Sequence, residues 1–194
     1  MQNADWENRV AALWTELDSH GREEFPAAMD RLAAELPEGT ADADFELGAS
    51  YDSTGYPERA VPLYQRALAT GLEGERRRRA VIQLASSLRN LGHPEESVAL
   101  LTEERSRGTD HLSDAVDATL ALAYASTGRE REGLSLVLAA LAPHLPRYQR
   151  SMGNYARMLL EDAEGAADSE SAAALTASAE AVPHETIRAE TRES

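Results

Sequence analysis

The sequence predicts an all-α chain built as a solenoid of stacked helix pairs, and three observations carry that prediction. One turn is written three times: Gly55-Tyr56-Pro57-Glu58, Gly92-His93-Pro94-Glu95 and, with the proline lost, Gly128-Arg129-Glu130-Arg131. Small residues recur at matching places before and after each turn. Aromatic residues make up only 5% of the 194 while alanine is abundant, which suits closely packed helices better than a sheet.

The first element expected is an amphipathic helical hairpin over residues 1–39. Trp6, Val10, Leu13, Trp14 and Leu17 recur at helical spacing, Gly21 turns the chain, and Phe25, Met29, Leu32 and Leu36 recur again before Pro37 and Gly39 stop it. Gly21 lies 34 residues before Gly55, yet Trp14 and Pro26 stand where the later units carry small residues. The hairpin reads as a degenerate first repeat or an N-terminal cap.

Next come the repeated units. The glycines of the three turns are 37 and 36 residues apart. Each can adopt the left-handed conformation that ends a helix, and a proline two residues later suits the first turn of the next, where its missing N–H is no loss. Upstream stand Leu47-Gly48 with Tyr51, Leu84-Ala85 with Leu88, and Leu120-Ala121 with Tyr124. Downstream stand Ala60 and Tyr64, Ser97 and Leu101, Gly133 and Val137. Small therefore faces small across each pair, letting two antiparallel helices approach while bulky neighbours fill the flanks. One such unit cannot bury its apolar faces alone, so units stack.

Leu47-Gly48-x-x-Tyr51 followed by Ala60-x-x-x-Tyr64 and Ala67 resembles the signature of the tetratricopeptide repeat family. The first unit departs from it at two positions: Asp44 stands where the family prefers Trp, with Phe45 beside it, and Leu72 replaces a closing Pro. The resemblance covers residues 41–145, in three units at 41–74, 78–111 and 114–146. The residues added beyond the usual period are expected after the second helix of each unit. More narrowly, the chain is similar to a group of small bacterial tetratricopeptide proteins, a likeness that implies no particular activity.

That resemblance implies an α-α superhelix whose first helices line a concave groove for a partner. Carried over position by position, the groove takes Asp42, Phe45, Ala49, Asp52 and Ser53 from the first unit. It takes Arg79, Ile82, Ser86, Arg89 and Asn90 from the second, and Ala115, Ala118, Leu122, Ala125 and Ser126 from the third. Asp52, Arg79, Ile82, Ser86, Arg89, Asn90 and Leu122 are the expected binding residues. Arg79, Arg89 and Asn90 put positive charge and an amide at mid-groove, beside a more apolar third-unit floor. Such a groove suits a short peptide with a carboxylate and an apolar side chain. It is only loosely similar to a carboxylate clamp, having no Lys and one Asn.

Beyond the repeats, Tyr148, Met152, Tyr155, Met158 and Leu159 are expected to form one apolar face of a capping helix over 147–163, covering the last repeat. Residues 164–194 read as an acidic, Ala-rich tail too polar to pack, with a transient helix over 168–181.

Composition excludes several functions. There is no cysteine, so disulfides, thiolate ligation and a Cys nucleophile are out. Residues 1–46 hold 12 acids and 3 Arg, 161–194 hold 9 acids and 2 Arg, and the middle is balanced, for a net charge of −15. Acidic ends repel nucleic acid and anionic lipid. The N-terminus has no basic and apolar leader, and no stretch approaches the about 18 apolar residues of a membrane span, so a cytoplasmic location is expected.

The five histidines, His20, His93, His111, His144 and His184, form no His-x-x-x-His pair. Asp110 and Asp114 beside His111 fit helix-start chemistry better than a metal site. Paired acids such as Glu95-Glu96 read as solvated helix starts, and no nucleophile elbow or phosphate loop occurs. No enzyme activity, cofactor or metal is expected.

The run Arg76-Arg77-Arg78-Arg79 begins the first helix of the second unit, where cationic charge opposes the helix dipole. It reads either as charge balancing against neighbouring acids or the acidic N-terminal hairpin, or as part of an anion-binding patch. The chain as a whole reads as a non-enzymatic scaffold or adaptor for a protein or peptide, with acidic groups suited to its groove. The alternative is a structural homo-oligomer anchored by Trp6 and Trp14.

Overall fold

Helices follow one another without a strand through the described part of the chain. The structure, a computed structural model, describes residues 2–161; the tail expected over 164–194 lies outside the described residues. In order come α1 (Gln2–Thr15), α2 (Glu24–Ala33), α3 (Ala41–Ser53), α4 (Pro57–Ala69), α5 (Gly74–Asn90), α6 (Pro94–Ser106), α7 (Ser113–Ser126), α8 (Glu130–Leu141) and α9, which spans 149–161. Among the described residues, no helix is long and apolar enough to cross a membrane.

The three elbows share one geometry. Gly55, Gly92 and Gly128 take φ of 81°, 89° and 75°. The residue after each donates its backbone N–H to a carbonyl five residues back: Tyr56 to Tyr51 at 2.9 Å, His93 to Leu88 at 2.9 Å, and Arg129 to Tyr124 at 2.8 Å. Only glycine enters that conformation without strain, so each position ends one helix and aims the next. Pro57 and Pro94 then occupy the first positions of α4 and α6.

Inside each pair the small residues mark the crossing. A Cβ on Gly48 would meet Leu63 and Tyr64 at 3.2 Å, and one on Gly133 would lie 2.8 Å from the Ala121 carbonyl oxygen. Ala60, Ala85 and Ser97 are fully buried at the equivalent places.

Two details differ from the expected layout. The extra length of the first period is not a loop after α4 but one more helical turn at the start of α5, which has 17 residues against 13 in α3 and 14 in α7. In the N-terminal hairpin, α1 stops at Thr15, and a 3-10 turn at Leu17–Ser19 precedes Gly21, which has no positive φ.

Curvature follows from which helices touch. Each helix from α1 to α8 packs on the next, and in addition α3 packs on α5 and α5 on α7. The second helices α4, α6 and α8 have at most marginal contact with one another. First helices crowded together and second helices splayed apart make the first-helix side concave. Three buried clusters lie along this stack: one around Trp6 and Phe25, one around Phe45 and Tyr64, and one around Leu101 and Leu120. Trp14 packs against the first two and joins them.

Candidate functional site

Helix α5 carries five arginines, and the fold divides them into two groups. The added first turn carries Arg76, Arg77 and Arg78 to the edge of the array, where carboxylates wait. Arg76 donates from Nε to Glu46 Oε1 at 2.9 Å and from Nη1 to Glu7 Oε1 at 2.9 Å, and it lies 3.4 Å from Asp42. Its hydrogen bond to Glu7 and the nearby charges hold its guanidinium above the ordinary arginine value. Glu46 is buried and also accepts from Trp14 Nε1 at 2.8 Å. One arginine thus joins α1, α3 and α5.

Arg77 and Arg78 converge on Glu104 of α6, which is buried. Arg77 Nη1 donates to its Oε1 at 2.9 Å and Arg78 Nη1 to the same oxygen at 3.2 Å, while Arg78 Nε lies 3.0 Å from Asp110. Of the two readings of the arginine run, these three residues take the internal one: Arg76 ties the second unit to the first and to the hairpin, and Arg77 and Arg78 neutralise a buried acid between the two helices of the second unit. The same pairs offset the unfavourable end of the helix dipole.

Arg79 and Arg89 are paired differently. Residues 79, 82, 86 and 89 follow the three-and-four spacing that puts them on one stripe of α5. Arg79 lies over the Phe45 ring, its guanidinium carbon 5.3 Å from the centroid, and has no carboxylate partner among the described residues. Arg89 donates from Nη2 to Asn90 Oδ1 at 2.8 Å, and its Nε is buried without a partner. Ile82 and Ser86 lie half-buried between them, and the rise of an α-helix sets the two arginines about 15 Å apart. Across the groove α7 exposes Ala115, Ala118 and Leu122.

Asp52 is placed differently from the rest of the expected set. Ser87 Oγ donates to its Oδ1 at 2.8 Å and Tyr64 Oη to its Oδ2 at 3.5 Å. Burial raises its carboxyl above the usual aspartate range, against the pull of those two hydrogen bonds. The same burial, with Asp52 beside it, pushes the Tyr64 hydroxyl far up. Asp52 therefore bridges α3, α4 and α5, with both oxygens already engaged. The departure from the repeat signature is filled locally: Phe45 is fully buried beside Tyr64, ring centroids 6.2 Å apart, and Asp44 accepts two bonds from Arg66 at 3.1 and 2.6 Å.

The other candidates resolve into ordinary contacts. His144 pairs with Asp114 at 2.8 Å and His111 with Glu75 at 3.4 Å, and Asp110 Oδ1 accepts from the Leu112 N–H at the start of α7. No group of three metal-ligating side chains comes together among the described residues. The expected oligomer anchors turn inward: Trp6 is 1% exposed and donates to the Leu32 carbonyl at 2.8 Å, and Trp14 packs on Phe25 with centroids 5.0 Å apart.

Cavities of about 650 and 460 Å³ lie at the junctions of α2 with α3 and of α6 with α7, and neither is lined by Arg79, Arg89 or Leu122. The groove is an open surface, suited to an extended chain more than to a small molecule. Sequence reasoning missed the Glu46 and Glu104 hubs. Their signal was faint: two acids on otherwise apolar helix faces, far in sequence from the run they neutralise.

The family model for the tetratrico peptide repeat matches residues 41–159, that is, α3 through most of α9. A search of curated proteins finds no match.

Proposed function

The chain belongs to the tetratricopeptide repeat family, whose fold generally mediates protein–protein contacts and is typically a non-enzymatic scaffold, and we propose that it is an adaptor binding an acidic peptide in its concave groove. One observation carries the reading: on a single helix, Arg76, Arg77 and Arg78 are neutralised by carboxylates while Arg79 and Arg89, on the groove stripe, are not. A guanidinium held over an aromatic ring keeps its donors free for a carboxylate, and such charge-assisted bonds are strong. An extended peptide spans the about 15 Å between the two arginines in four or five residues. Its acidic groups engage Arg79 and Arg89, and an apolar side chain rests on Leu122, Ala118 and Ala115.

The test is a pull-down and peptide-array comparison of the wild type with Arg79→Glu/Arg89→Glu. Loss of two charge-assisted hydrogen bonds predicts at least about a 100-fold weaker capture. An unchanged partner list from a folded double variant rejects the groove as the binding face.

A further inference from the structure

Helix α9 has the place in the sequence of the first helix of a fourth pair. Gly165 follows Gly128 by 37 residues, the interval that also separates Gly92 from Gly55. Seven residues before the three elbow glycines lie Gly48, Ala85 and Ala121, and five before them lie Ser50, Ser87 and Ala123; all six are buried. The same positions before Gly165 are Met158 and Leu160, 52% and 41% exposed. One side of α9 is already seated on α8, where the buried Ser135 hydroxyl donates to the Ala156 carbonyl at 2.7 Å. So α9 is packed on the preceding pair and open where Gly48 and Ala121 meet the second helix of their own pairs.

We propose that residues 166–182, which lie outside the described residues, occupy this face of α9 as the second helix of a fourth pair, turned by Gly165. Their sequence suits a helix. Glycine and proline are absent from 166–182, alanine dominates, Asp168 and Glu170 fall in the first turn where acids favour the helix dipole, and Pro183 follows. Size fits as well. In the earlier pairs the crossing falls five to nine residues past the glycine, at Gly133 opposite Ala121 and at Leu63 and Tyr64 opposite Gly48. Past Gly165 that window holds Ala172, Ala173 and Ala174, so the large residues stand on the first helix and the small ones on the second. Tyr155, ten residues before Gly165, matches the groove positions Phe45, Ile82 and Ala118 and lies outside the contact. Charge selects the same occupant. Arg150 and Arg157 are exposed on α9 with no carboxylate partner among the described residues, and 162–194 hold eight acids against two Arg. A second copy of α9 would bring arginine to arginine. The acidic hairpin of a second copy matches the charge, but its described residues expose no large apolar side chain to cover Met158 and Leu160. A link of a few residues also keeps the segment beside α9 at an effective concentration of about 1 mM. The tail read as too polar to pack thus holds one stretch that packs, and its helix, transient alone, is stabilised by α9.

The test is amide hydrogen exchange on the full-length chain over a micromolar dilution series. Amides of 166–182 exchange at least about tenfold more slowly in the wild type than in Met158→Glu/Leu160→Glu. Both substitutions are on exposed positions, so α1 to α7 keep wild-type protection and the array is folded in the variant. With no native cysteine, Met158→Cys/Ala173→Cys closes a disulfide within one chain on mild oxidation, and Ala11→Cys/Ala173→Cys does not. Unprotected amides over 166–182 in the wild type overturn the proposal. Protection that fades on dilution overturns it as well and assigns the cover to a second copy. Protection that survives Met158→Glu/Leu160→Glu but is lost in Arg79→Glu/Arg89→Glu overturns it by placing the segment in the groove. None of these readouts depends on peptide capture, so failure of the groove reading and failure of this one are distinguishable.

Discussion

The two ends of the array solve the same problem differently. At the N-terminal end, α1 and α2 close the stack with large apolar side chains turned inward, Trp6, Phe25 and Met29 all but fully buried. A polar clamp then fastens that layer: Arg76 reaches Glu7 on α1 and Glu46 on α3, and Glu46 also holds Trp14. At the C-terminal end the expected capping face of Tyr148, Met152, Tyr155, Met158 and Leu159 is not the one turned in: α9 seats its small Ala156 on Ser135, Met152 and Leu159 are half-buried, and Tyr148, Tyr155 and Met158 stay exposed. A cap is made by orientation as much as by composition. Apolar residues are present at both ends, but the N-terminal layer is fastened by charged side chains reaching α3 and α5, whereas α9 is seated by the hydrogen bond from Ser135 to a backbone carbonyl.

The comparison is most directly broken at the clamp. Arg76→Ala leaves Glu46, 4% exposed in its side chain, without its cation. Removing one partner of a buried pair costs about 3 kcal/mol or more. Chemical denaturation should show that loss, and hydrogen exchange should show α1 and α2 opening ahead of the rest. Amides of residues 2–39 that keep wild-type protection would mean the hairpin is held by its apolar contacts alone.

A smaller effect is expected where the last repeat is built. In Gly133→Ala the new Cβ would sit 2.8 Å from the Ala121 carbonyl oxygen, so α7 and α8 must move apart. The overpacking cost of about 2 kcal/mol exceeds the gain in helix propensity of about 1 kcal/mol, for a net loss near 1 kcal/mol. A midpoint unchanged or raised in urea would show that the crossing is looser than the geometry implies.

The smallest effect is expected on the open face. Tyr155→Ser should change unfolding free energy by less than about 0.5 kcal/mol, because the residue is 53% exposed. A loss as large as that at Gly133 would mean that α9 depends on Tyr155 for its seat, and the contrast between the two ends would fail.

How much of this was legible follows from the range of each interaction. The elbows could be read because a glycine's left-handed φ and a proline at a helix start are properties of two or three adjacent residues. Gly48, Ala85 and Ala121 opposite Ala60, Ser97 and Gly133 could be read because a crossing of two neighbouring helices has a fixed spacing. The groove stripe Arg79, Ile82, Ser86 and Arg89 followed from helical period once the resemblance assigned α5 its inner face. The extra turn of α5 could not be seen, since an inserted helical turn and an inserted loop lengthen the period equally.

The sequence alone thus determined that the chain is an array of helix pairs, where each pair turns, and which residues share a helix face. Tertiary structure decided what each face meets. Arg76 and Glu7 are 69 positions apart, and nothing local distinguishes that pair from the many other possible pairings of 19 arginines and 34 acids. It likewise set which side of α9 turns inward, because periodicity groups residues by face without ranking two faces that are both apolar. That ranking came from the backbone approach that Ser135 and Ala156 permit, a contact between two helices rather than a property of either.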